Sequence, residues 1–319
     1  SSSSQLKHAS KLENLAKETK QKNLCLAGGV ALNCVANGKI LKSNLFDNIW
    51  IQPAAGDAGG AIGAAYCALY DDPSHKRELN SDYDFMQGSY LGPRYSNDEV
   101  TDKLDELGAK YELLDEDKII EQTAIALSEG KSVGWLSGRM EFGPRALGGR
   151  SILADPRSPD MQKTLNLQIK NRESFRPFAP SILHEDLHDW FELEKSSPYM
   201  LLVANILDKH KNILSDEDMK KFGIDLLNIQ RSSVPAITHI DYSARVQTVH
   251  EETNLRYYKL LKKFKEITNC PILVNTSFNV RSEPIVCDTN DAFRCFMGTK
   301  LDVLIVEDCI LKKEDQMRS

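Results

Sequence analysis

Residues 23–70 read NLCLAGGVALNCVANGKILKSNLFDNIWIQPAAGDAGGAIGAAYCALY. Two short apolar runs, residues 23–27 and 47–52, have the length and composition of buried strands. Each leads into glycines and then into a helical run. Gly28 and Gly29 open residues 30–42, and the glycine-rich turn at 56–63 opens a small-residue helix reaching Tyr70. Strand, turn and helix in alternation predict a three-layer α/β unit. A helix over residues 5–22, with Leu6, Leu12 and Leu15 as its apolar positions, precedes it. Two strands make a poor sheet on their own. The expectation is that this chain is the latter part of a longer protein, with residues 1–72 ending one domain.

Outward from there, residues 71–94 are polar and carry Pro73 and Pro93. Residues 73–94 read as a linker, and a second α/β unit fills 95–319. Helices are predicted at 96–107, 117–129, 255–268 and 289–299. Strands are predicted at 109–114, 132–136, 200–206, 245–249, 271–274 and 303–306. Residues 215–231 fit neither pattern and read as a surface excursion.

Residues 137–180, SGRMEFGPRALGGRSILADPRSPDMQKTLNLQIKNRESFRPFAP, gather eight cations among four glycines and five prolines. Turn-formers on both sides predict cations held on loops and strand ends. Fixed guanidinium and ammonium groups suit phosphate or carboxyl-like oxygens. Arg145 follows a Gly-Pro turn, Lys170 and Arg176 flank Arg172-Glu173, and Arg176 is restrained ahead of Pro177. The bland alternative is a set of surface ion pairs with Glu141, Asp155 and Glu173, worth about 0–1 kcal/mol each. In a chain of net charge −6, the basic stretch points to a small anionic substrate, with nucleic acid excluded as a partner. No apolar run approaches the ~20 residues of a membrane span. Seven cysteines with irregular spacing and no CxxC predict small core thiols in a reducing, cytoplasmic compartment.

Other motifs carry two readings each. Gly28 to Asn33, GGVALN, could let backbone N–H groups approach a phosphate at a helix start, or be only a tight turn. Asp57, set among small residues in PAAGDAGG, is a metal ligand or a helix N-cap. Asn275, Thr276, Ser277 and Asn279 end the strand PILV, where α/β sheets present ligand donors, or they self-cap a turn. Arg245 opens a strand as a phosphate contact or as an edge arginine. His184-Glu185-Asp186-Leu187-His188 matches HExxH, but five acids in HEDLHDWFELE favour a solvated helix over a zinc site.

Together these segments resemble the nodulation-type and cephem-type O-carbamoyltransferase family. The matching runs are LCLAGGVALNCVANG, QPAAGDAGGAIGAA, GRMEFGPRALGGRSILADPR, NRESFRPFAP, ARVQTV and NTSFN. The resemblance implies an actin/hexokinase-like transfer lobe over 1–72 and a YrdC-like twisted α/β domain over 95–319. It implies that carbamoyl phosphate and ATP, with Mg²⁺, form carbamoyladenylate, and that the carbamoyl group then passes to the hydroxyl of a small acceptor. On that resemblance Arg145, Lys170 and Arg176 would bind carbamoyl phosphate. Arg245, Asn275, Thr276, Ser277 and Asn279 would face ATP, while Gly28, Gly29 and Asn33 would meet the nucleotide end of the carbamoyladenylate. Asp57 would ligate a divalent metal, with iron the family's expectation. The two histidine ligands that family members carry upstream have no counterpart in this sequence, so the transfer site is expected to be incomplete. A homodimer is left open. Two rivals remain: a small-molecule kinase of the actin-like superfamily, and a non-catalytic nucleotide-binding module.

Overall fold

The structure, a computed structural model, describes residues 2–77, 84–215, 218, 220–221 and 229–316. The excursion expected at 215–231 lies mostly outside the described residues. The first part of the chain runs α1 (Ser2–Thr19), β1 (Asn23–Leu26), α2 (Cys34–Lys42), β2 (Asn48–Ile51) and α3 (Gly59–Asp71). β1 and β2 pair in parallel as a two-stranded sheet, with Leu24 opposite Ile49. Gly28, at φ 93°, makes the turn out of β1. The helix expected over 30–42 is broken. A single 3-10 turn, Gly29–Leu32, ends at Asn33, whose side chain accepts from the Ala36 N–H at 3.2 Å and starts α2. Asparagine offers the backbone this local partner, and so it favours a helix start over a helix interior.

The second part supplies α4 (Asn97–Glu106), β3 (Glu112–Leu113), α5 (Glu116–Ser128), β4 (Val133–Leu136), β5 (Arg150–Ala154), α6 (Met161–Gln168) and β6 (Ala179–Leu183). It continues with α7 (Leu187–Trp190), β7 (Leu202–Asn205), β8 (Ser243–Val249), α8 (Leu255–Thr268) and β9 (Ile272–Ser277). α9 (Thr289–Met297), β10 (Val303–Val306), β11 (Cys309–Lys312) and α10 (Lys313–Gln316) complete it. Among the described residues these strands form one mixed sheet of nine, ordered β3-β11-β10-β4-β5-β9-β6-β8-β7. β10 with β4 and β6 with β8 are parallel; the other pairs are antiparallel. Every residue of β4, β5 and β6 is buried, as expected for central strands covered on both faces. Helix starts follow local chemistry. Ser96 and Glu99 form a reciprocal capping box, while Asp115, Asn254 and Asp288 accept from the first turns of α5, α8 and α9. The HExxH run is one 3-10 turn followed by the four-residue α7, shorter than the helix expected.

The two parts meet through α2 and β7. Asn37 is buried and donates to the carbonyls of Ala31 at 2.8 Å and Leu201 at 3.1 Å. Gly38 lies so close to β7 that a Cβ there would stand 2.8 Å from the Val203 oxygen. α3 buries none of its residues, and Tyr66 and Tyr70 stack along it.

The register of the large sheet decides where function can sit. β5 runs antiparallel to β9 with Ser151 opposite Ser277, and β6 runs antiparallel to β9 with Ala179 opposite Asn275. β8 is parallel to β6, and β4 is antiparallel to β5. The β4–β5 loop, the entry to β6, the start of β8 and the exit of β9 therefore share one end of the sheet.

Candidate active site

That shared end holds a cavity of about 270 Å³ lined by Lys170, Arg172, Arg176, Thr276, Ser277 and Asn279. Lys170 is buried at its base and is the organising side chain. Its Nζ donates to the Ser277 and Asn279 carbonyls, and to Asn279 Oδ1 at 2.8 Å and Ser277 Oγ at 3.3 Å. Ser277 Oγ in turn donates to Asn279 Oδ1 at 2.7 Å. Burial, and next the positive charge of Arg172, push the Lys170 ammonium down to about 7. Asn166, on α6, was not singled out from the sequence, yet it holds the approach to β6. It is fully buried, donates to the Ser174 and Arg176 carbonyls, and accepts from Arg172 Nε at 2.6 Å. The Arg172 guanidinium also lies over the Phe178 ring, 4.9 Å from its centroid.

The cations of the basic stretch, together with Arg245, divide into two kinds. Arg150 is fully buried and braces the fold through the carbonyls of Pro93, Gly138, Gly149 and Cys287. Arg157 forks onto Asp155, and Arg176 makes an exposed pair with Glu173 at 2.9 Å. Arg145, Arg172 and Arg245 are different: among the described residues none has a carboxylate within ion-pair distance. Arg145 reaches the Leu32 carbonyl at 3.4 Å, and its buried Nε has no hydrogen-bond partner. Burial, then the charge of Arg145, lowers Arg245 below the usual guanidinium range, and Arg172 adds to the effect. Like charges crowded without neutralising acids create a field that a bound anion would relieve.

Asn275 does not face this cavity. It is buried between strands, where its Nδ2 donates to Ala146 O at 3.2 Å, Ser181 Oγ at 3.0 Å and Gln247 Oε1 at 2.8 Å. Among the described residues Glu141 forms no ion pair with the arginines. Instead its Oε1 accepts the backbone N–H groups of Leu147 at 2.6 Å and Gly149 at 2.8 Å.

Gly28 lines a separate cleft of about 1160 Å³ between the two sheets, with Trp50, Tyr66, Met86, Tyr199 and Leu202 among its walls. Gly29, Asn33 and Asp57 are exposed and outside that lining. The N-cap of α3 is Ala58 and no side chain caps it, so Asp57 does not play the capping role either. Among the described residues no three His, Cys, Asp or Glu side chains gather as a metal site, and Asp57 alone does not fit one. His184, of the HExxH run, stacks on His250 at 4.2 Å. The seven thiols are free. No described helix is long and apolar enough to cross a membrane.

Comparison with known proteins sharpens the reading. A profile described as carbamoyltransferase C-terminus matches residues 124–313, and one described as carbamoyltransferase N-terminus matches 6–66. The uncharacterized protein sll1178 of Synechocystis is 56% identical over 296 residues, covering 92% of this chain and 48% of that protein. Nodulation protein NolO of Bradyrhizobium diazoefficiens is 40% identical over 308 residues, covering 95% of this chain and 51% of its own length. The chain thus spans about half the length of these relatives. Full-length HypF in its phosphate- and nucleotide-bound form aligns with a TM-score of 0.36 at 17% identity, over 60% of this chain and 20% of HypF. The profile match over 124–313 contains the whole cationic end of the sheet, and on it the chain belongs to the carbamoyltransferase family.

Proposed function

We propose that the cationic end of the large sheet binds carbamoyl phosphate beside ATP and forms carbamoyladenylate. The carbamoyl group would then pass to the hydroxyl of a small acceptor. The observation that carries this reading is the set of Arg145, Arg172 and Arg245, unneutralised by acids, at the same end of the sheet as the Lys170 cavity. Arg145, Lys170 and Arg176 are assigned to the carbamoyl phosphate. Arg245, Thr276, Ser277 and Asn279 are assigned to the nucleotide, with Mg²⁺ accompanying ATP. Asn275 is assigned a supporting place beneath them. For atoms to balance, one water takes up the phosphoryl group of carbamoyl phosphate. The carbamate oxygen then bonds to the α-phosphorus of ATP as the bond to pyrophosphate breaks. Negative charge builds on phosphate oxygens in both events, and fixed cations in a water-poor pocket stabilise it.

On the same reading residues 95–319 are a YrdC-like domain, 73–94 a linker and 1–72 the end of an actin/hexokinase-like transfer lobe. The parallel β1–β2 pair and its docking through α2 support that division. Asp57 would need further donors to hold the metal that the family expects, and no step is assigned to it.

The test is pyrophosphate release from ATP plus carbamoyl phosphate. Arg145→Ala is expected to lower kcat/KM about a hundredfold, the size of one lost charge-stabilising donor. Equal rates in the two proteins would reject the assignment. A second expectation concerns pH. Lys170 sits at about 7, charged below and neutral above. kcat/KM for carbamoyl phosphate should therefore fall as pH rises through about 7, because the free protein loses the ammonium that meets the anion. A flat profile from pH 6 to 9 would remove Lys170 from the binding step.

A further inference from the structure

We propose that Glu141 is a positioning residue that sets Arg145 by fixing the turn that follows it, residues 146–150. The proposal rests on the anion-binding reading of Arg145 given above. Glu141 is buried, and among the described residues it has no ion-pair partner. Its single Oε1 takes the N–H groups of Leu147 at 2.6 Å, Gly149 at 2.8 Å and Arg150 at 3.4 Å. A carboxylate at the centre of three converging donors fixes a turn that has no strand or helix ladder of its own.

The carbonyls of the same turn are held from elsewhere. Ala146 O receives Asn275, Leu147 O receives Gln247 at 2.7 Å and Tyr90 at 2.7 Å, and Gly148 O receives Trp135 at 2.9 Å. Gly149 fits because it has no Cβ, which would stand 2.8 Å from the Arg139 carbonyl oxygen and 3.1 Å from Glu141 Oε2. Arg145 enters this cast turn with its Nε unpartnered. The frame is rigid while the guanidinium makes one long bond, to the Leu32 carbonyl at 3.4 Å, and keeps Nε free, which lowers the ordering cost of meeting an anion.

Inorganic phosphate titrated calorimetrically into four proteins tests this: wild type, Glu141→Ala, Arg145→Ala and the double variant. Glu141→Ala is expected to weaken phosphate about tenfold when Arg145 is present and less than about twofold when it is absent. Equal weakening in both backgrounds would overturn the proposal while leaving Arg145 as an anion ligand. Glu141→Gln keeps an oxygen to accept the three N–H groups while losing the charge and exchanging Oε2 for an NH2 group, so it should bind within about threefold of wild type. If it is as weak as Glu141→Ala, the action is through charge and the backbone route is wrong. If Glu141→Ala does not fold, Glu141→Asp, which withdraws the carboxylate by one methylene from the three N–H groups, enters the same cycle under the same criterion. Arg145→Ala binding phosphate as tightly as wild type would instead overturn the anion-site reading, and this proposal with it.

Discussion

Lys170→Met is expected to lower kcat/KM for carbamoyl phosphate about a thousandfold, more than any other single change at the site. Methionine keeps the length and apolar stem but removes both functions of the ammonium. One is its charge in a buried cavity, where a fixed cation acts more strongly on developing phosphate charge than it would in water. The other is mechanical. Four oxygens of Ser277 and Asn279 converge on Nζ, so its loss frees the β9 exit, where the nucleotide is assigned. Part-buried carbonyls left unpaired also destabilise, by up to about 1–3 kcal/mol. The rate must therefore be measured on protein shown by thermal melting to be folded. A loss under about tenfold in folded protein would mean that the cage holds its shape without the cation.

Gly148→Ala is expected to destabilise the protein by about 3–5 kcal/mol, through left-handed strain and overpacking together. Gly148 has φ 106°, and an added Cβ would stand 2.2 Å from Tyr257 Cδ1. The Tyr257 ring is fully buried and its backbone N–H is tied to the Asn254 cap, so it cannot move aside. Urea denaturation followed by tryptophan fluorescence reads the change, since Trp135 donates to Gly148 O. An unchanged midpoint would show that the turn is loose, contrary to its bonding.

The fold was legible where apolar runs were uninterrupted. Residues at β1, β2, β4, β9 and β10 announce themselves as NLCL, NIWI, VGWL, ILVN and VLIV. β5 and β6 were not read, for reasons visible in their composition. β5 opens with Arg150, which reads as a surface cation but is buried on four carbonyls. β6 contains Pro180, which reads as a breaker. It is tolerated because it lies at the strand start, before pairing with β8 begins at Ser181.

The site was legible as chemistry and not as geometry. Lys170, Arg176, Thr276, Ser277 and Asn279 were named from the sequence and line one cavity. Arg172 and Asn166 were passed over because a cation beside Glu173 and a polar helix residue resemble ordinary surface. Asn33 and Asn275 carry the right groups, but one caps α2 and the other is enclosed between strands. Glu141 was missed because a carboxylate amid arginines suggests ion pairs. Its bonds to N–H groups six and eight residues away follow no sequence period.

The wiring of the sheet end also governs how the protein matures. Lys170 and Ser277 stand 107 residues apart, Gln247 and Leu147 100, and Asn275 and Ala146 129. Long loops must close before any of these contacts is formed, which slows assembly. No shorter stretch of polypeptide contains all of these contacts, so a half-assembled chain lacks the cage around Lys170. Completion of this end of the sheet is thus a late event in folding, coincident with the arrival of β9 between β5 and β6.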